Sequence, residues 1–187
     1  MKKLILIITF SLVLGKLFCQ DLIYTEVVEV SGKTSKELYN CAQTWFAETY
    51  NDGKSVIQVD KFEDEKGTII GKALLKYDQG FLSASGTTRG VINYLIKIET
   101  KEGKYKYEIY QFYHEANRTV GNASENSFGK ITTNLEYEGE IRAFYNQGWY
   151  NRVWNDIKSQ ISEYIEPLIS ELKEKMKSDA CKEKSDW

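Results

Sequence analysis

The chain predicts an α+β fold, a curved antiparallel sheet with an early helix and a long C-terminal helix on one of its faces. Three observations carry this. Apolar residues recur at spacings of three and four over residues 34–50 and again over 143–177, the period of a helix with one buried side. Between them lie segments rich in Val, Ile and Tyr, broken by Gly, Asn and Asp, which is strand and turn composition. The order strand, helix, several strands, long helix alternates too little for a parallel α/β sheet. With 187 residues, 42% hydrophobic and 28% charged, the chain is long and apolar enough to bury one core.

The elements follow in order. Residues 22–30 are β-branched and apolar and read as a strand. Residues 34–50 read as a helix whose Leu38, Cys41, Ala42, Trp45 and Thr49 share a face. Asn51, Asp52 and Gly53 end it. In 55–62, Val56, Gln58 and Asp60 alternate against Ile57, Val59 and Lys61, a half-buried strand. A turn at 63–67 leads to a strand over 68–77. Residues 79–90 read as a loop with a short edge segment at Phe81 and Leu82. Residues 91–100 and 104–113 make a hairpin turning at Lys101, Glu102 and Gly103. Strict alternation puts Tyr105, Tyr107, Ile109, Gln111 and Tyr113 on one side of its second strand. Lys106, Glu108, Tyr110, Phe112 and His114 fall on the other. A polar loop covers 115–130, and 131–137 reads as a further strand. The long helix over 143–177 contains Pro167, which removes a backbone hydrogen bond and predicts a kink or restart.

The N-terminus is different in kind. Met1, Lys2 and Lys3 precede a nearly unbroken apolar run over 4–14, the length of a secretory signal core and too short to span a bilayer. The chain therefore divides into a signal peptide over 1–19, one α+β domain over 20–177 and a charged tail over 178–187. Cleavage after Cys19 leaves Gln20 first. Lipidation of Cys19 is the alternative, disfavoured by Lys16 and Phe18 where a small-residue lipid-attachment motif is needed. The expected location is exported, periplasmic or secreted, with no transmembrane span in the mature chain. Removal of 1–19 takes Lys2, Lys3 and Lys16 away and moves the net charge from −2 to −5. An acidic chain with dispersed lysines lacks the basic face that nucleic-acid binding needs. Cys41 and Cys181 remain in the mature chain. They could pair outside the cell, but Cys41 lies on the apolar helix face, where a buried thiol is the commoner outcome.

Ser31-Gly32-Lys33-Thr34 sits between strand and helix, where a phosphate-binding loop belongs. That loop needs a glycine five residues before Gly32, and Val27 stands there. Thr34 followed by Glu37 reads instead as a capping box, with Gly32 in the turn and Lys33 exposed. No nucleotide is expected. This stretch, Val28-Glu29-Val30-Ser31-Gly32-Lys33-Thr34-Ser35-Lys36-Glu37-Leu38-Tyr39, is followed by Trp45-Phe46, Val56-Ile57-Gln58, Ile69-Ile70-Gly71-Lys72, Tyr105-Lys106-Tyr107 and Phe112-Tyr113-His114. Together they resemble a bacterial family of exported proteins known as a domain of unknown function with a TATA-binding-protein-like fold, over about residues 27–115. The resemblance implies an exported domain of that fold and no established activity, so it supplies no catalytic residue. The fold name does not imply DNA binding.

Candidate chemistry is sparse. The single histidine, His114, excludes a multi-histidine metal site within one chain. A catalytic role for it needs a nucleophile or an orienting carboxylate; Glu108 and Glu115 are near in sequence, but no Gly-x-Ser-x-Gly elbow exists. A strand-end histidine bonded to backbone is the favoured reading. Asp60, Glu63, Asp64 and Glu65 lack the spacing of a calcium loop and read as a solvated turn. No cofactor and no metal is expected. Thirteen tyrosines are the least ordinary feature. Tyr94, Tyr105, Tyr107, Tyr110, Tyr113 and His114, with Phe112, gather on one hairpin and form the candidate ligand or partner surface. The function expected is a non-enzymatic exported binding or interaction domain for a protein, a glycan or a small apolar ligand. The alternatives are a carrier enclosing an apolar ligand between sheet and C-terminal helix, and a hydrolase built on His114.

Overall fold

The computed structural model describes residues 20–50, 53–78, 87–117 and 126–179. The signal-peptide assignment, the Phe81–Leu82 edge segment, Cys181 and most of the charged tail fall outside them. The elements in order are β1 (Tyr24–Glu29), α1 (Ser35–Thr49), α2 (Gly53–Val56), β2 (Ile57–Glu63), β3 (Lys66–Tyr77), β4 (Gly90–Lys101), β5 (Lys104–Ala116), β6 (Gly129–Lys130) and α3 (Gln147–Lys177). All strand pairs are antiparallel, in the order β1-β5-β4-β3-β2. β1 pairs the first half of β5, and β6 pairs it further on, at Tyr113 and His114. The predicted fold class holds: an antiparallel sheet, an early helix and a long C-terminal helix, with both helices contributing to one core on one face.

The start of α1 forms as its letters predict. Thr34 Oγ1 accepts the Glu37 N–H at 3.2 Å, and the Glu37 carboxylate accepts the Thr34 N–H at 2.8 Å. Such reciprocal caps contribute about 1 kcal/mol. Gly32 supplies the turn at φ 82°. Lys33, expected to be exposed, is buried instead. Its ammonium donates to the Met176 carbonyl at 2.9 Å and to the Ser178 carbonyl, and lies 3.5 Å from the Cys41 sulfur. A cation there answers the electron-rich carbonyl end of α3, a partner 143 residues away that no local pattern contains.

α1 lies close on the sheet because β3 offers glycines beneath it. A Cβ on Gly71 would stand 2.5 Å from the Phe46 ring, and one on Gly67 would stand 2.5 Å from both Tyr39 and Thr100. The turn between β2 and β3 is Asp64-Glu65, both at positive φ, which matches the twist of a two-residue hairpin.

Two other expectations are corrected. Residues 131–137 are not a strand; the ladder stops after β6. The segment turns away to bury Tyr137 flat against Tyr150, with ring centroids 5.1 Å apart. The long helix starts at Gln147, capped by the Asn146 side chain at 2.9 Å, and runs through Pro167 without a restart. Pro167 is exposed. α3 stays continuous through it because its packing is on the other side, where Ile161, Ile165, Leu168 and Leu172 are buried.

Candidate functional site

The candidate tyrosines lie on β4 and β5, and the hairpin they share contains an irregularity that decides which way each points. Leu95 pairs Tyr110 and Asn93 pairs Tyr113, so Gln111 and Phe112 together oppose Tyr94. This is a β-bulge, with Gln111 at φ 56°. It inserts one residue and reverses the alternation beyond it. Tyr105, Tyr107 and Ile109 face the helices before the bulge; Phe112 and His114 face them after it.

The six candidate residues therefore do not form one platform. Tyr94, Tyr105, Tyr107 and His114 are buried in the core, while Tyr110 is half-buried and Tyr113 is 45% exposed on the opposite, open face. The expected tyrosine surface is corrected in this respect, since the helices cover the same side that most of the tyrosines occupy. Tyr94 stacks on Phe112 at 5.7 Å, and burial pushes its hydroxyl well above the ordinary tyrosine range. Burial and then a hydrogen bond to Glu26 push Tyr107 up to about 12. Glu26 is in turn held below the usual carboxylate range by bonds from Lys173 and Tyr107. These are structural ties between β1, β5 and α3.

His114 is fully buried. Its Nε2–H donates to the Thr88 carbonyl at 2.9 Å, and its Nδ1 accepts the Phe128 N–H at 3.1 Å. Desolvation lowers its pKa to about 4, against a smaller opposing effect of the Thr88 bond. Both ring nitrogens are engaged by backbone, so neither can take a proton from a nucleophile. His114 fixes the ring cluster of Tyr77 and Phe128 around it, and the hydrolase alternative loses its base.

The open face carries other residues. Beside Tyr113 and Tyr110 stand Leu95 on β4 and Leu74 on β3, the last 53% exposed. Two grooves cross this region and share Lys72 and Asn93. One, of about 340 Å³, is lined by Lys72, Asn93, Tyr94, Leu95, Gln111, Tyr113 and Glu115. The other, of about 350 Å³, runs where the β2–β3 pairing ends and is lined by Tyr50, Ser55, Val56, Lys72, Ala73, Leu74 and Asn93. Asn93 donates to the Glu115 carboxylate at 3.2 Å between them. The three central strands place seven lysines and three glutamates on this face. Among the described residues, Lys97, Lys104 and Lys106 have carboxylate partners, while Lys66, Lys72, Lys76 and Lys101 have none. Sequence reasoning missed Lys72, Leu74, Asn93 and Leu95 as neighbours on this face, and the bulge at Gln111, because net charge averages over faces and strict alternation hides a bulge.

A second exposed feature is the segment 133–146. Trp154 Nε1 and Lys158 Nζ both donate to the Asn134 carbonyl, at 2.9 and 2.7 Å. The Tyr137 N–H donates to Asn151 Oδ1, and the Arg142 N–H to the Tyr150 hydroxyl. Held this way, the segment exposes Leu135 at 83%, Phe144 at 86% and Ile141 at 42%.

No group of side chains suited to a metal occurs among the described residues. Asp60, expected in a solvated acidic turn, accepts instead from Tyr39 and Gln43 and ties α1 to β2. No helix among the described residues is long and apolar enough to cross a membrane.

Residues 24–115 match the model of a domain of unknown function, DUF4468, with TBP-like fold. No curated protein matches the chain. Among solved structures, the chain is similar to a TBP-like protein from Parabacteroides distasonis, with a TM-score of 0.54 at 12% identity over 84% of this chain and 94% of that one. A DUF4468 family protein from Bacteroides ovatus aligns with a TM-score of 0.49 at 13% identity, covering 84% and 87%.

Proposed function

We propose that the chain, whose residues 24–115 match the model of a domain of unknown function with a TBP-like fold, is an exported, non-enzymatic interaction domain that receives a partner on the open face of its sheet. One observation carries this. Leu74 and Tyr113 stay uncovered above adjoining grooves, whereas the space between sheet and helices is filled by Tyr94, Phe112, Trp154 and their neighbours. Uncovered apolar side chains next to shallow grooves suit a docked polypeptide better than an enclosed small ligand. The carrier alternative has no such support, since both grooves open to the surface.

The experiment is site-specific photo-crosslinking in the source organism. A photoreactive phenylalanine analogue replaces Tyr113 or, as the control on the helix side, Tyr164. The expected result is a discrete adduct from position 113 and none from position 164. Equal labelling from both positions, or none from either, would overturn the open face as the docking surface.

A further inference from the structure

The open face leaves one question that the rest of the surface answers: what chemistry would cover it. We propose that the partner is a second copy of this chain, whose segment 133–146 seats on the open face of the first in a head-to-tail contact. This rests on the open face being a docking surface, and adds the identity of what docks.

The two surfaces are complementary in charge. Around Leu135 and Phe144 the segment exposes Glu136, Glu138 and Glu140. Around Leu74 and Tyr113 the open face exposes Lys72 and Lys76, which have no carboxylate partner among the described residues. The segment sets three glutamates against one arginine, Arg142, and the open face sets seven lysines against three glutamates, so each surface combines uncovered large apolar side chains with an excess of one sign of charge, and the excesses are opposite. Contact between them removes apolar area from water and pairs charges at the rim.

One chain cannot satisfy both surfaces by itself. The segment is fastened to α3 through Tyr137, Asn134 and Arg142, on the helix side of the sheet. The open face looks the other way. The same fastening means that little chain entropy is lost when the segment docks. The three glutamates also oppose an anionic membrane surface as the place where Leu135 and Phe144 insert. Because the two patches differ, the contact is heterologous, and copies add in rows unless the rotation closes a ring.

Sedimentation of the purified protein tests this. The average mass of the wild type should rise with concentration and fall back as salt is added. Phe144→Glu and Leu74→Glu should each remain at the monomer mass, with unchanged circular dichroism because both side chains are exposed. Mixed together they should form a one-to-one dimer and nothing larger, since one supplies an intact open face and the other an intact segment. A wild type that stays monomeric, single variants that associate like the wild type, or a mixture that stays monomeric would each overturn the proposal. A monomeric wild type that binds polyglutamate, duplex DNA or phosphatidylglycerol vesicles, with binding lost in Lys72→Glu, overturns the second copy as partner but leaves the open face standing. A monomeric wild type with no adduct from position 113 removes both.

Discussion

His114 is the residue where chemistry and stability separate most clearly. It has the composition of a catalytic base and the surroundings of a core residue, fully buried with both ring nitrogens bonded to backbone. Its folded pKa of about 4 lies below the ordinary 6.5. Between these values the unfolded chain binds a proton that the folded chain does not. Stability is therefore complete above pH 6.5 and declines as pH falls toward 4. The slope is about 1.4 kcal/mol per pH unit, so roughly 2 kcal/mol is lost between pH 6.5 and 5, above the range where carboxylates titrate. Since the chain has one histidine, urea unfolding over that window should show the slope in the wild type and a flat line in His114→Gln. Lys33 makes a second case. Sequence placed it in solvent, yet it joins the loop before α1 to the end of α3. Lys33→Met should cost about 1.5–3 kcal/mol, the range for hydrogen bonds to a charged group, and should speed hydrogen exchange in the last turn of α3.

At the scale of elements, the bulge on β5 is the feature that strict periodicity could not reveal. The two helices, the long strands and the capping box were legible because each is written in local spacing. Gln111 was not, because a bulge is one extra residue in an otherwise regular alternation, and only the pairing with Tyr94 exposes it. The same limit explains the false strand over 131–137: Ile131 and Tyr137 are apolar enough for one, but Tyr137 is claimed by Tyr150 and the chain leaves the ladder. Glycine takes the left-handed conformation of Gln111 without a Cβ penalty, against its larger entropy loss on folding. Gln111→Gly should raise stability by about 0.5–1 kcal/mol, whereas the β-branched Gln111→Val should lower it by about 1–2 kcal/mol. Gly71→Val tests the packing of α1 in the same way. Its side chain would enter the Phe46 ring, and overpacking of this kind costs about 1–3 kcal/mol. Denaturant midpoints at constant slope would check all three variants.

For the whole molecule, the informative quantity is where charge and apolar surface lie rather than their totals. A net charge of −5 for residues 20–187 hides a lysine-rich open face balanced by acidic surfaces elsewhere. The candidate site was only half legible for this reason: Tyr110 and Tyr113 are on the open face, but Lys72, Leu74 and Asn93 beside them gave no motif. The N-terminal side of the fold bears on the export proposal. Gln20 accepts through its carbonyl from the Thr133 N–H at 2.8 Å, and Asp21 bridges Thr132. A mature chain beginning at Gln20 would keep these ties to Thr132 and Thr133 and lose none of the described fold. If the signal peptide is removed as proposed, N-terminal sequencing of protein from its source should find Gln20 first. A chain that retains Cys19 with an added diacylglycerol mass would establish the anchored alternative. A mass that retains Met1 to Cys19 unmodified would overturn export by signal cleavage altogether.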